Sequence, residues 1–169
     1  MTAARRRRKP GSLVILAKTG LGLLILVGLP SFPPGQAATT ERIVTDPNRG
    51  LALGGFDPVA YFTDSKPLMG REELEYAFAG ATWRFRNEGN RAAFAENPEV
   101  YLPAFGGHDP VAVARGVATP GHPQIWLVVG ERLYFFYNAE ARKIFAAAPE
   151  IALAAAERKW RDVLLTISP

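Results

Sequence analysis

Two pairs of short segments are rich in hydrophobic residues. Apolar residues occupy every second position in 74–78 and again in 83–85, with a glycine-containing turn between the two segments. The segments 125–129 and 133–137 are continuous apolar runs on either side of a second turn, which contains Gly130. Period-two alternation is typical of a strand that buries one face, and a short glycine turn joins antiparallel strands. The sequence therefore predicts two β-hairpins.

The aromatic residues on or near these strands are predicted to form the core. They are Tyr61, Tyr76, Trp83, Phe85, Trp126, Tyr134 and Phe136. Phe135 and Tyr137 would face the other side of the last strand, because successive side chains of a strand point to opposite faces. There they form either an apolar contact surface or a floor for the C-terminal helix.

A helix signal follows each hairpin. Asn87 and Asn138 stand where N-cap residues belong, since an asparagine oxygen accepts hydrogen bonds from the free amides of a first helical turn. Helices of about ten residues are predicted after both. Pro98 and Pro149 each end one helix and can start another turn. The last segment, 150–167, has apolar residues at helical spacing, which predicts an amphipathic helix packed on the sheet.

These regions are two copies of one motif. The segment 54–60 reads GGFDPVA, and 106–112 reads GGHDPVA. The helical region 87–99 returns at 138–150 in nearly the same register. Each copy is predicted to contain a Gly-Gly turn, a short extended piece, a hairpin and a helix closed by proline. The predicted fold class is α+β: a small domain of two β-hairpin-plus-helix units, related by an internal pseudo-repeat, with a C-terminal helix.

The start of the chain has the three parts of a secretory signal. They are a basic stretch at 5–9, an apolar run at 19–29 and a small-residue exit at 35–37. The alternative is an uncleaved N-terminal membrane anchor, read from 13–29, although this stretch is short for a bilayer span. The sequence thus predicts an exported protein, located in the periplasm or outside the cell.

Three regions follow from this division of the chain. We predict a signal peptide at 1–37, a flexible linker at 38–50 and one folded α+β domain at 51–167. The linker is assigned from its small and polar residues, and the folded domain from the repeated motif.

Charge and cysteine content narrow the possible functions. The formal charge of +4 comes from 20 Lys and Arg against 16 Asp and Glu. Six of these basic residues lie in the leader, so the rest of the chain keeps 14 against 16, a net charge of −2. No basic cluster interleaved with aromatics remains, which argues against nucleic acid as a partner and leaves membrane contact only to an uncleaved N-terminal segment. The chain has no cysteine, which excludes thiolate nucleophiles, redox pairs and thiolate metal sites.

Three stretches of the chain resemble the YHS domain family. They are 54–62 (GGFDPVAYF), 83–85 (WRF) and 87–101 (NEGNRAAFAENPEVY). The chain is similar in particular to longer exported members, in which a YHS-like unit is followed by a second Gly-Gly pair and a second hairpin. The resemblance covers most of 51–160, and it implies a small module that binds metal.

The resemblance also implies a ligand set that this chain lacks. Where metal-binding relatives have cysteines, this chain has Ala60 and Arg86, and Asn90 stands at a further ligand position. Asparagine is a poor ligand for transition metals. After the second Gly-Gly pair, His108 and Asp109 stand where exported relatives commonly have an aromatic residue and a cysteine.

A metal site rebuilt from other donors remains a prediction. Its candidate ligands are His108, Asp109, His122 and Asp57, which would meet if the two units pack about a pseudo-twofold axis. Histidine and carboxylate suit zinc, copper(II) or nickel. The alternative is structural: an aspartate before proline in a Gly-Gly turn bonds its own backbone, and a histidine in a Pro-Gly loop faces solvent.

The predicted function is a non-enzymatic exported YHS-like module that binds a transition metal or small ligand near the paired Gly-Gly-x-Asp-Pro turns. The cofactor is unknown, with a divalent transition metal as the candidate. One alternative is a degenerate YHS domain that docks a protein partner without metal, and another is an unrecognised enzyme. Ser65 and Ser168 have no Gly-x-Ser-x-Gly setting, so hydrolysis has no motif here.

Overall fold

The computed structural model describes residues 43–167, which form an α+β domain of two antiparallel hairpins, short helices and a long C-terminal helix. The predicted fold class is confirmed. The predicted signal peptide at 1–37 and the first part of the predicted linker, 38–42, lie outside the described residues. Within 43–167, no helix has the length and apolar character needed to cross a membrane.

The first unit carries its hairpin between short helices. Its elements are a 3-10 turn (Leu53–Gly55), α1 (Ala60–Thr63), β1 (Arg71–Phe78), β2 (Ala81–Phe85), α2 (Glu88–Glu96) and α3 (Pro98–Tyr101). β1 and β2 pair antiparallel. The two turn residues between them, Ala79 and Gly80, have φ of 51° and 76°. Positive φ at both positions matches the twist of a two-residue hairpin, so the predicted first hairpin is confirmed.

The second unit repeats the same order of elements. They are a 3-10 turn (Ala104–Gly107), α4 (Pro110–Val113), β3 (His122–Val129), β4 (Arg132–Phe136), α5 (Ala139–Ala147) and α6 (Pro149–Ile167). β3 and β4 pair antiparallel, and both hairpins have an irregular register at the equivalent place, 71–75 and 122–126. The predicted internal repeat therefore holds element by element.

The piece after each Gly-Gly turn is helical, whereas the sequence analysis predicts it to be extended. α1 and α4 are single helical turns. Asp109 is the N-cap of α4 and accepts a hydrogen bond from Val111 N at 2.8 Å, and Pro110 occupies the first helical position. Proline is favoured there because its φ suits a helix and no N–H is needed. Aspartate and proline therefore start a helical turn at this point.

The predicted N-caps of the two longer helices are confirmed. Oδ1 of Asn87 accepts a hydrogen bond from Asn90 N at 2.8 Å, and Oδ1 of Asn138 accepts one from Ala141 N at 2.8 Å. α2 and α5 each have nine residues. A proline opens the helix that follows each of them, as predicted.

Two equivalent glycines allow close approach between the strands of each hairpin. A Cβ added at Gly70 would lie 2.4 Å from the carbonyl carbon of Arg84, and one at Gly121 would lie 2.4 Å from Cβ of Phe135. Both distances are shorter than van der Waals contact. Only glycine fits at these two places.

The core has two clusters, and the phenylalanine of a longer helix lies in each. The ring centroid of Phe94 in α2 is 5.1 and 5.2 Å from two rings of β2, and that of Phe145 in α5 is 5.1 Å from two rings of β4. The four strand residues are Trp83, Phe85, Tyr134 and Phe136. Of the aromatics predicted for the core, Tyr76 and Trp126 are partly buried and the others are buried.

β4 lies between the two clusters. Leu133 and Phe135 belong to the cluster of the first unit, whereas Tyr134 and Phe136 belong to that of the second unit. The prediction that Phe135 forms an outer surface or a floor for the C-terminal helix is therefore wrong, because this strand is buried on both faces. Tyr137, the residue after the strand, is 62% exposed.

α6 packs mainly against α4, whereas the sequence analysis places it on the sheet. Its buried residues are Ala156 and Val163, which join the second cluster. α5 already covers one face of the second hairpin, and the first cluster covers the other. α6 thus joins the second cluster beside α4.

The packed domain includes part of the predicted linker, 38–50. Ile43 is buried in the first cluster. Val44 N donates a hydrogen bond to Gly106 O at 2.7 Å. These contacts hold the chain on both units, so packing begins before the predicted start at Leu51.

Candidate functional site

Two equivalent aspartates are buried in the described part of the chain. Asp57 and Asp109 are 0% and 2% exposed, and each stands between the 3-10 turn and the helical turn of its unit. Burial of a carboxylate is unfavourable unless hydrogen bonds replace the lost water. The bonds that each carboxylate accepts therefore show what it can still bind.

Three donors satisfy Asp57. Its Oδ1 accepts from Val59 N at 2.9 Å, and its Oδ2 accepts from Arg86 N at 2.9 Å and from Asn90 Nδ2 at 2.7 Å. The carboxylate thus holds together the turn that follows it, the end of β2 and the first turn of α2. The structural interpretation of this aspartate, as a turn residue that bonds its own backbone, is confirmed.

Asp109 repeats two of these three bonds. Its Oδ1 accepts from Val111 N at 2.8 Å, and its Oδ2 accepts from Tyr137 N at 3.0 Å. Among residues 43–167, the third donor has no counterpart, because Ala141 occupies the place in α5 that Asn90 occupies in α2. A methyl group cannot donate, so Oδ2 of Asp109 accepts one hydrogen bond where Oδ2 of its counterpart accepts two.

A cavity of about 670 Å³ opens beside this carboxylate. α4, the start of α5 and the adjoining loops form its wall, and both Asp109 and Ala141 lie in it. Small-molecule sites in proteins typically have volumes of about 300–1,000 Å³. The cavity therefore has room for a small ligand at the position of the missing donor.

His108, a predicted metal ligand, is packed inside the second unit. Its Nδ1 lies 2.9 Å from Phe105 O, and its ring centroid is 5.7 Å from that of Trp160 in α6. In the repeat it takes the place of Phe56. This histidine thus fills an aromatic position of the fold.

His122, the other predicted histidine ligand, is exposed at the start of β3, where its Nδ1 accepts a hydrogen bond from Gln124 N at 3.2 Å. Across residues 43–167, no three side chains among His, Asp and Glu lie close enough together to hold a metal ion. The predicted ligands therefore form no such group in this structure, and the metal site stays a prediction. They are His108, Asp109, His122 and Asp57.

A second cavity, of about 520 Å³, lies beside Tyr61. The Tyr61 hydroxyl donates a hydrogen bond to Pro123 O at 2.9 Å, and its ring contacts Trp126 and Phe135 edge-on at 5.2 Å. Burial raises the pKa of Tyr61, and the negative charge of Asp57 raises it further. This tyrosine is therefore a neutral donor that ties the first unit to the second hairpin.

A third cavity, of about 430 Å³, is lined by Phe105, Tyr134, Trp160 and the charged residues Arg132 and Glu157. Burial raises the pKa of Tyr134, while Arg132 lowers it and Glu157 raises it. The indole N–H of Trp160 is buried without an acceptor among the described residues. This cavity is a weaker candidate site than the one beside Asp109. The indole nitrogen is buried and does not face the cavity solvent, and the first unit has no equivalent residue whose partner would indicate the ligand.

Comparison of the chain with models of protein families, with curated proteins and with solved structures finds no match. The resemblance to the YHS domain family therefore rests on the motifs quoted above and stays a prediction.

The residues that distinguish the two aspartates are missed by the sequence analysis. Asn90 reads from the sequence only as a poor metal ligand, and its hydrogen bond to Asp57 is not predicted. The available signal is the register of the repeat, which sets Asn90 against Ala141. The consequence of this difference depends on the contact between Asn90 and Asp57, which are 33 positions apart in the chain. The sequence pattern does not predict that contact.

Proposed function

We propose that this chain is a non-enzymatic binding module whose small ligand occupies the cavity between α4 and α5 and donates a hydrogen bond to Asp109. The missing third donor carries the proposal. Asn90 Nδ2 lies 2.7 Å from Asp57 Oδ2, and Ala141 leaves the equivalent position open. Oδ2 of Asp109 already accepts a hydrogen bond from Tyr137 N and can accept a second one. A ligand that donates to this oxygen adds a hydrogen bond to a charged group, which contributes about 1.5–3 kcal/mol.

The other bonds of Asp109 support binding rather than turnover. Its two oxygens accept from the backbone amides of Val111 and Tyr137, so the carboxylate is fixed as an acceptor that the fold itself needs. A fixed acceptor in the wall of a cavity selects ligands by the position of their donor. The signal peptide and the YHS resemblance, which would make this an exported YHS-like module, stay predictions.

NMR titration of the ¹⁵N-labelled full chain tests the proposal. The two probes are acetamide and n-butylammonium chloride, each added separately, because both carry N–H donors. We expect saturable shifts of the backbone amide signals of Val111 and Tyr137 with at least one probe, since these amides bind the same carboxylate as the ligand.

A pair of alanine variants gives the control. Ala141→Asn places an amide where the first unit has Asn90, and it should abolish the shifts. Ala146→Asn adds the same side chain at an exposed position of α5 outside the cavity wall, and it should leave them unchanged. Equal titration of wild type and Ala141→Asn, or no saturable shift with either probe, would overturn the proposal.

The predicted metal site is tested in the same way with zinc chloride. Stoichiometric binding that disappears in the double variant His108→Ala/His122→Ala would favour a metal module. Absence of zinc binding to the full chain would contradict the metal hypothesis, and it would not affect the proposed ligand site beside Asp109.

A further inference from the structure

The charges around Asp109 are unbalanced. Among residues 43–167, the ion pairs that Lys and Arg form do not include Asp109, and the hydrogen bonds that Asp109 accepts come from neutral backbone amides. The charged residues that line the cavity are Asp109, Glu140 and Arg115. Negative charge therefore exceeds positive charge in this wall, which favours a cationic ligand.

The two units also differ at a second nitrogen-bearing residue. The backbone N–H of Arg86 binds Asp57, and its guanidinium pairs with Asp64 at 3.3 Å. The counterpart of Arg86 is Tyr137, which lines the cavity. The second unit thus lacks two groups that the first unit has, the amide replaced at Ala141 and the cation replaced at Tyr137.

A primary ammonium group supplies the N–H donor that Ala141 lacks, and it carries the positive charge that the excess of acidic residues in this wall favours. Charge-assisted hydrogen bonds are stronger than neutral ones, and an aromatic ring such as that of Tyr137 attracts cations. Val111 and Ile144 add apolar surface to the same wall. We infer that the ligand of this site is a primary alkylammonium compound, an inference that rests on the proposed function.

Three probes of similar size separate charge from hydrogen bonding. n-Butylammonium has both, butyltrimethylammonium has charge without N–H, and butanamide has N–H without charge. Each is titrated into the full chain at constant ionic strength and followed through the Val111 and Tyr137 amide signals. We expect n-butylammonium to bind with a dissociation constant at least roughly tenfold lower than either of the others, because it alone combines both features.

Tyr137→Arg is the matched variant, because it places at this position the arginine that the first unit has. It changes only the side chain, so the backbone N–H that binds Asp109 is kept. It should weaken n-butylammonium binding roughly tenfold through like-charge repulsion, with the remaining NMR signals unchanged. Ile151→Arg adds the same charge at an exposed position of α6 outside the cavity wall. It should leave binding unchanged.

The outcomes distinguish this inference from the proposed function. If butanamide binds as tightly as n-butylammonium, the ammonium inference is overturned, whereas the proposed ligand site beside Asp109 is supported. Equal binding of the trimethylated probe would overturn it too, because charge alone would then account for the affinity. Binding by none of the three probes would overturn both.

Discussion

Asp57 and Asp109 stand at the same point of the repeat, yet from the part of the chain that the structure describes the first accepts three hydrogen bonds and the second accepts two. The difference comes from one helical position, where α2 has Asn90 and α5 has Ala141. In the first unit the chain supplies the last donor itself. In the second unit a cavity of about 670 Å³ takes that place. A duplicated motif can thus keep its structural bonds in both copies while one copy stays open to a ligand.

The two hairpins also differ in how many of their faces are buried. β2 buries Trp83 and Phe85 on one face, while Arg84 on the other face pairs with Glu75 of β1 at 2.9 Å. β4 instead contributes to both clusters through alternate residues. The second hairpin is therefore central to the core, whereas the first unit concentrates its packing around one helix, α2.

The largest expected effect tests this difference in packing. The ring of Phe94 contacts those of Tyr76, Phe78, Trp83, Phe85 and Tyr101, whereas that of Phe145 contacts Tyr134 and Phe136. Removal of a buried phenylalanine costs more when the cavity it leaves is larger. We expect losses of about 5 kcal/mol for Phe94→Ala and about 3 kcal/mol for Phe145→Ala, measured by urea unfolding. Equal losses would show that the two units are packed alike.

The next effect concerns the aspartates themselves. Asp57→Ala leaves the backbone N–H groups of Val59 and Arg86 and the side chain of Asn90 without their acceptor, whereas Asp109→Ala leaves two backbone N–H groups. We expect urea unfolding to show a loss of about 4 kcal/mol for Asp57→Ala and about 2–3 kcal/mol for Asp109→Ala.

The exposed Asp64 is the control for these variants, and Asp64→Ala should cost less than about 0.5 kcal/mol, as is usual for surface positions. A loss at Asp109 as large as that at Asp57 would contradict the unequal hydrogen bonding of the two aspartates.

Elements with a strong local signal could be predicted from the sequence. The hairpins follow from pairs of apolar-rich segments around a glycine-containing turn, and the caps Asn87 and Asn138 follow from side-chain chemistry that acts within one helical turn. The errors arise where tertiary packing decides. Period two places Phe135 on the opposite face of β4 from Tyr134 and Phe136, and only the burial of both faces of this strand places it in the core.

The candidate site was harder to predict than the fold. The sequence singles out Asp57 and Asp109 as equivalent, and the structure confirms that both are turn residues. It could not show that the two are satisfied unequally, because the third bond of Asp57 comes from α2, across the unit. Conversion of one unit into the other is therefore the most direct test of the comparison.

Asn90→Ala should open at Asp57 the position that Ala141 leaves open at Asp109. We expect a loss of about 1–2 kcal/mol in urea unfolding, because a hydrogen bond to a charged group is removed. Acetamide should then shift the Val59 amide signal, which it leaves unchanged in the wild type. The double variant Asn90→Ala/Arg86→Tyr also removes the cation, so n-butylammonium should bind at Asp57 only in the double variant. Absence of n-butylammonium binding at Asp57 in the double variant, followed through the Val59 amide signal, would break the comparison.

The smallest effect at neutral pH is expected for Tyr61, which ties the first unit to the second hairpin. Tyr61→Phe removes the hydrogen bond to Pro123 O and keeps the ring contacts with Trp126 and Phe135. We expect a loss of about 1 kcal/mol in urea unfolding at about pH 8. No loss would show that the hydroxyl does not contribute to the contact between the units.

Alkaline pH sharpens this last prediction. Burial raises the pKa of Tyr61 above its usual 10.0, so above that pH the unfolded chain loses this proton while the folded chain keeps it. Stability is therefore full below about pH 10 and declines as the pH rises, by up to about 1.4 kcal/mol per pH unit. Burial also raises the pKa of Tyr134. Tyr134 therefore adds its own loss of stability at alkaline pH, and this loss is the same in Tyr61→Phe and in wild type. Tyr61→Phe should lose stability less steeply than wild type between about pH 10 and pH 11, and equal slopes would contradict this. Since Val113 takes the place of Tyr61 in the second unit and cannot ionise, the difference in slope reports on the first unit.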